Sequence, residues 1–254
     1  LNPLKNIPSL TSLPDKIKIM EGFGIDTMVI VPFSKAFSMT NPEEFIRNVL
    51  YKKLKARLVV VGFDYRFGHA GSGDTIMLKS LGNRFGYETI VIPPVMKDGI
   101  VVSSSAIRKF ISEGDVYKAI GYLGRPYKLS GKIIKGDGLG HSIGFPTVNV
   151  NFSPAAALPQ NGVYAVLART NDQEYNGVAN IGVKPTFSKN TISLEVHLIG
   201  IDQNLYGRFI EVEFIDKIRN EMAFSCIEAL AAQIKHDILI AQNLLHIYKT
   251  QWLC

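Results

Sequence analysis

Residues 123–150 read LGRPYKLSGKIIKGDGLGHSIGFPTVNV, and the chain changes character inside them. KLSGKIIKG has the alternation of a short strand, a glycine-rich loop follows, and PTVNV opens another strand. Side chains at i and i+2 of a strand share a face, so Thr147 and Asn149 present a hydroxyl and an amide to one small target. Gly136, Gly138, Gly140 and Gly144 let the backbone approach that target closely or take φ > 0. Taken alone, the simpler reading is a turn followed by an edge strand, with Pro146 ending one and starting the other.

Downstream, NGVYAVLAR, YNGVANIGV, TISLEVHLIG and RFIEVEFID continue the pattern of short alternating strands divided by Gly, Asn and Asp turns. That spacing predicts an antiparallel β-barrel or sandwich. SCIEALAAQIKHDILIAQNLLHIYK then reads as a closing helix. Ser225 and Glu228 have the spacing of a capping box, and Ile227, Leu230, Ile234, Ile238 and Leu245 make a core-facing stripe.

Upstream the rhythm differs. LPDKIKIMEGFG (13–24), PEEFIRNVLYKKL (42–54) and TIMLKSLGNRFG (75–86) have helical spacing. TMVIVPF (27–33), RLVVVG (57–62) and YETIVIPPV (87–95) read as short buried strands. Alternating apolar strands and helices predict a parallel sheet covered by helices, with ligands beyond the carboxyl ends of the strands. GFDYRFGHAGSGD lies at such an end. SSSAIRKFISEGD (103–115) reads as a helix start with serines in the cap region and Gly114 as its stop. Free N–H groups there favour an anion, and Arg108 adds a charge-assisted fork. An ordinary capped helix with a solvated arginine fits the same residues. A boundary near Gly124 divides the chain into residues 1–124 and 125–254.

The whole has 254 residues, 46% hydrophobic and 20% charged, ordinary values for a globular protein. No apolar run approaches the ~20 residues of a membrane span, and LNPLKNIPSL lacks the basic flank and apolar core of a signal peptide. Cys226 and Cys254 make neither a metal-ligand spacing nor a disulfide framework; as reduced thiols they fit a cytoplasmic protein. A net charge of +6 favours anionic partners, phosphorylated small molecules as well as nucleic acid. No basic block and no aromatic–basic platform on the strands supports nucleic acid.

Several stretches together resemble the bacterial bifunctional riboflavin kinase/FMN adenylyltransferase family, also called prokaryotic FAD synthetases. In the second half they are residues 123–150, LPQNGVYAV, VANIGVKPTF, SLEVHL, LYGRFIEVEFIDKIRNEMAF and EALAAQIKHDI. In the first they are LTSLPDKI, VVVGFDYRFGHAGSGD and VVSSSAIR. The resemblance runs nearly end to end with the motifs in order. It implies a Rossmann-like nucleotidylyltransferase α/β domain followed by an antiparallel β-barrel riboflavin kinase domain with a C-terminal helix. The substrates and products implied are riboflavin, FMN, FAD and ATP with Mg²⁺.

In proteins similar to this one, the Pro-Thr-x-Asn segment lies in the kinase site, and Thr147 and Asn149 are the implied metal and phosphate residues beside Gly136, Gly140 and Gly144. Neutral oxygens suit a cation whose phosphates already bring negative charge. His141 stands where the family often has arginine. Glu195 matches the family's catalytic glutamate. On its strand Leu194, Val196 and Leu198 alternate one way and Glu195 and His197 the other, and a carboxylate inside the barrel mouth would be costly without a task. A solvent-facing side is the plain alternative, and for His197 it is the reading taken. For adenylyl transfer the resemblance implies Asp64, Phe67 and Gly68 beside flavin and adenine, and Ser104, Ser105 and Arg108 on phosphates, with Ser105 in place of a threonine. Phe63, Tyr65 and Phe67 fit packing equally well.

The family's His-x-Gly-His segment does not occur among the five histidines, 69, 141, 197, 236 and 246. With Leu1 in place of methionine, the expectation is that this segment lies upstream of the sequence. The 254 residues alone are then expected to form FMN and accumulate it. Loss of adenylyl transfer, leaving a flavin- or nucleotide-binding regulator with a degenerate first domain, is the alternative.

Overall fold

The computed structural model describes residues 7–136, 139–170, 173–185, 190–201 and 203–252. Gly138, the last residues of VANIGVKPTF, Leu1 and Cys254 lie outside them. The chain packs as two units, Ile17–Val102 and Ile7–Lys16 with Ser103–Cys254.

The first unit is mixed α/β. Its helices are α1 (Leu13–Gly22, whose first residues belong to the other unit), α2 (Lys35–Ser38), α3 (Pro42–Phe45) and α4 (Thr75–Phe85). The helix expected over 42–54 begins as α3 and continues as a π-helix over Ile46–Lys53. Strands β1 (Leu58–Gly62) and β2 (Glu88–Ile92) pair in parallel, and β3 (Met96–Lys97) and β4 (Ile100–Val101) form a hairpin. Asp74 caps α4 by accepting from Met77 N–H at 2.8 Å, and Gly86 ends it with φ 74°. Val59 and Val61 pack toward Ile46, Phe67, Leu78 and Tyr87. The strand expected at 27–33 is not formed: Val29, Ile30 and Val31 are about half exposed and pair with no strand among the described residues. An apolar run supplies strand propensity, but a ladder needs a neighbour for its N–H and C=O groups.

The second unit holds α5 (Ser104–Glu113), α6 (Val116–Leu123), β5 (Tyr127–Ile134), α7 (Leu139–Ser142), β6 (Thr147–Phe152), β7 (Gly162–Thr170), β8 (Gln173–Pro185), β9 (Asn190–Leu198), β10 (Phe209–Arg219) and α8 (Ile227–Trp252). The six strands close a barrel in the order β10-β5-β6-β9-β8-β7, each pair antiparallel. Closure removes the edges a sandwich would leave open. Tyr164 and Phe214 meet edge-to-face inside at 5.4 Å, and Leu129, Leu194, Val196, Ile210 and Val212 are buried. On the outside, Val163, Ala165, Leu167 and Val178 pack with Ala241, Leu245 and Tyr248 of α8.

The start of α8 departs from the expected capping box. The helix begins at Ile227, so Cys226, not Ser225, precedes it. Ile227 is 57% exposed and is not part of the core stripe, whereas Leu245 is fully buried. Residues 8–15 are strapped to this unit by cations: Arg108 Nε donates to Pro8 O at 2.7 Å, Arg125 Nη2 to Thr11 Oγ1 at 2.9 Å, and Lys128 Nζ lies 2.7 Å from Asp15.

Candidate active site

Antiparallel register places cross-strand partners on one face. Asn149 on β6 pairs with Glu195 on β9, Glu195 with Asn180 on β8, and Asn180 with Val163 on β7. The next rung of the same face runs Thr147, His197, Val178, Ala165. Val163, Ala165 and Val178 are the residues that face α8, while Leu194, Val196 and Leu198 are 0–3% exposed on the opposite side. The alternation read for β9 therefore holds, but Glu195 stands on the outer wall of the barrel, under the end of α8, and not in its mouth. Side chains inside a barrel this small fill its core and leave no room for a substrate.

The glycines close onto this face. A Cβ at Gly136 would lie 2.0 Å from Asn149 Nδ2, and one at Gly140 would lie 2.4 Å from Phe145 O and 3.1 Å from Thr147 Oγ1. Gly144 turns the loop with φ 84°. The close approach anticipated for these glycines is thus, at Gly136 and Gly140, an approach to Asn149 and Thr147 themselves; Gly144 serves the turn.

Two clefts meet at Thr147. One, of about 400 Å³, is bordered by Gly136, His141, Pro146, Asn204 and Tyr206. The other, of about 280 Å³, is bordered by Phe145, Asn180, Glu195, His197, Met222 and Phe224. His197 faces this second cleft and not open solvent, with its Nδ1 2.9 Å from Pro146 O.

Arg219, at the end of β10, and Asp237, on α8, also border the second cleft. Arg219 Nε and Nη2 donate to the Asp237 carboxylate at 2.8–3.0 Å, and Gln233 Nε2 donates to it at 2.8 Å. Asp237 is 1% exposed, and Phe224 lies against Arg219 at 5.8 Å. Sequence reading missed Asn180, Arg219 and Asp237. Asn180 was within reach, because it interrupts the apolar set of VANIG at the rung of Glu195; the ion pair joins residues distant in sequence and left no local signal.

No three His, Cys, Asp or Glu side chains gather as metal ligands among the described residues. A cation here would meet Thr147 and Asn149 as neutral oxygen donors, with Glu195 directly across the ladder from Asn149. That donor set fits Mg²⁺, which keeps several waters and takes much of its shell from phosphate.

The remaining candidates fall in both units. In the first, Gly68 has φ 73°, and a Cβ there would lie 2.5 Å from Pro42. Phe67 is 7% exposed and stacks on Tyr65 at 5.7 Å, so its ring is part of the core of this unit. Asp64 is exposed at the end of β1. In the second, Ser103 caps α5 by accepting from Ala106 N–H at 3.3 Å, Ser104 and Ser105 are exposed, and Arg108 is tied through Nε to Pro8 O. The second reading of this segment, an ordinary capped helix, describes its local geometry fully, apart from the partner that Arg108 has.

The riboflavin kinase family matches residues 123–245 and the FAD synthetase family residues 1–106. A bifunctional riboflavin kinase/FMN adenylyltransferase of Buchnera aphidicola from Acyrthosiphon pisum is 38% identical over 94% of this chain and 77% of its own length. The Escherichia coli K12 protein of the same name is 36% identical over 94% and 77%, and that of Bacillus subtilis 37% over 90% and 72%. A solved Streptococcus pneumoniae structure described as a macrolide-efflux protein has a TM-score of 0.87 and 29% identity, covering 96% of this chain and 79% of its own. Among the described residues no helix is long and apolar enough to cross a membrane. On the strength of both family matches and of relatives covered over three quarters of their length, the chain belongs to the bifunctional riboflavin kinase/FMN adenylyltransferase family.

Proposed function

We propose that the β6–β9 face is where phosphoryl transfer takes place in the first of the chain's two activities. The protein is a bifunctional riboflavin kinase/FMN adenylyltransferase: ATP phosphorylates riboflavin to FMN, and a second ATP adenylylates FMN to FAD. The observation that carries the assignment is the meeting of two clefts at Thr147, with Glu195 on the wall of one of them. Riboflavin takes the cleft whose walls include Phe145, Val178, Met222 and Phe224, which suits a flat, largely apolar ring carrying polar edges. The nucleotide takes the other.

Glu195 is the general base. Its carboxylate accepts the proton of the ribityl 5′-hydroxyl as that oxygen bonds to the γ-phosphorus and the bond from phosphorus to the ADP oxygen breaks. Thr147 Oγ1 and Asn149 Oδ1 are the oxygens that would hold Mg²⁺, which when bound neutralises charge on the phosphates. Gly136, Gly140 and Gly144 keep the loop backbone near the phosphates, where N–H groups stabilise anionic oxygens. Glu195→Gln should lower turnover on the order of 10²–10⁴-fold and leave riboflavin affinity within about twofold, because the amide keeps the shape and one acceptor. Steady-state kinetics with calorimetric riboflavin binding checks both, and near-normal turnover would remove Glu195 from the role.

For the second step we assign Ser104, Ser105 and Arg108 to nucleotide phosphate and Asp64 and Gly68 to the flavin and adenine side, with Phe67 holding that loop through packing. The functional division lies near Gly124, giving 1–124 and 125–254, although residues 103–124 pack with the barrel unit. The partners are small molecules, and the cytoplasm, where ATP and reduced thiols prevail, is the proposed location.

A further inference from the structure

Pro146 is the residue before the β6–β9 ladder, whose first pair is Thr147 with His197. Its ring leaves no N–H, so the peptide joining it to Thr147 can be held from the Pro146 side only through the carbonyl. His197 Nδ1 lies 2.9 Å from that oxygen. A carbonyl accepts and cannot donate, so Nδ1 carries a proton and His197 is the donor. The same imidazole meets the Phe145 ring edge-to-face at 5.8 Å and 79°, a favoured aromatic geometry. Phe145 N–H donates to Gly140 O at 2.7 Å. His197 therefore grips two consecutive residues ahead of Thr147, and Gly140 closes the loop from the other side.

We infer that His197 is a positioning residue for phosphoryl transfer. It sets the Pro146–Thr147 peptide, and through it the Thr147 hydroxyl, while making its own hydrogen bond to the chain and not to the nucleotide. The inference rests on the reading of Thr147 as a holder of the metal and phosphates. A histidine serving only as a wall of the flavin cleft would act on riboflavin; one that orients Thr147 acts on MgATP. The two roles separate in the kinetics.

The test compares His197→Leu, His197→Asn, His197→Gln and Thr147→Val in the 254-residue chain, with KM for MgATP and for riboflavin measured separately. His197→Leu should raise KM for MgATP roughly three- to tenfold, the effect of losing one neutral hydrogen bond, and by clearly more than it raises KM for riboflavin, whose cleft the ring also borders. An asparagine amide places its N–H near the Nδ1 position and should restore most of the loss, whereas the longer glutamine reaches toward the Nε2 position and should not. If the leucine variant fails to fold by circular dichroism, the Asn–Gln contrast decides alone. A rise confined to riboflavin, or Asn and Gln variants that behave alike, overturns the inference. If Thr147→Val impairs MgATP use and His197→Leu does not, His197 is no positioning residue. If Thr147→Val itself leaves MgATP use unchanged, the reading of Thr147 fails, and the positioning role built on it fails for that separate reason.

Discussion

One methyl group is enough to probe the loop over Thr147 and Asn149. A Cβ at Gly136 would come 2.0 Å from Asn149 Nδ2 and 2.7 Å from its Cγ, well inside van der Waals contact, so Gly136→Ala must displace the amide or the loop. Gly136 has no left-handed φ in the structure, so alanine there carries little backbone strain of its own. Gly136→Ala should therefore lower kinase turnover at least tenfold through misplacement of one ligating group while shifting the melting temperature by no more than a few degrees. Turnover assays beside thermal unfolding check this, and unchanged turnover would show that the close approach has no bearing on the chemistry. At this scale the sequence was informative about types and spacing. Thr147 and Asn149 share a face as the i, i+2 rule requires, and the glycines are there for close approach. What remained hidden was the object approached, because that depends on how the loop folds back across β6.

Elements are joined by contacts that a single strand or helix does not reveal. Asp237 sits on α8 among residues of the apolar stripe, and it is 1% exposed and bonded by Arg219 from the end of β10 and by Gln233. Removing one partner of such a pair leaves a buried charge uncompensated, and Asp237→Asn or Arg219→Met should each destabilise by about 3–5 kcal/mol. Replacing both with apolar residues should destabilise less than either alone, which denaturant unfolding of the three variants measures. Conversely, TMVIVPF has the composition of a strand and does not form one, since apolar character cannot tell whether a neighbouring strand is present to pair with it.

Charge on the outer barrel wall gives a test with a defined sign. Burial raises the Glu213 carboxyl above its ordinary value, and Arg169 at 3.5 Å only partly offsets this. A carboxyl with a raised folded-state pKa binds protons more tightly when folded. Its ionisation thus weakens the fold as pH rises through that pKa, and the contribution is fully favourable only below the unfolded value near 4.5. Glu213→Gln should accordingly raise the melting temperature at pH 7, with the gain disappearing as pH falls below that value. Melting scans across this range check it; a variant less stable at neutral pH would mean that the Arg169 contact outweighs burial.

For the whole molecule, the two halves were legible to different degrees for a physical reason. Period-2 alternation and turn residues narrow the second half to an antiparallel barrel or sandwich, and closure of the six strands makes it the barrel, where each strand finds its neighbour. In the first half Leu58, Val60, Ile90 and Ile92 of the parallel pair are 43–54% exposed, so its apolar strands are only partly explained by the packing of the described residues. If the two activities draw on separate residue sets, substitutions should dissociate them. In protein expressed with any upstream sequence its gene encodes, Glu195→Gln should abolish FMN formation from riboflavin while FAD formation from supplied FMN stays within about twofold, since general-base loss acts on one chemical step. Arg108→Ala should do the reverse, lowering FAD formation on the order of tenfold or more through loss of a charge-assisted phosphate contact. The strap to Pro8 makes a second effect of that substitution separable: lost adenylylation with an unchanged melting temperature assigns Arg108 to the nucleotide, whereas a lowered melting temperature with FMN and FAD formation falling together assigns it to holding residues 8–15 on the barrel unit. Chromatographic separation of riboflavin, FMN and FAD after incubation with ATP and Mg²⁺ reads both reactions in one sample. Loss of FAD formation in the Glu195→Gln variant supplied with FMN would show that the two steps share a residue set, against the division proposed for the chain.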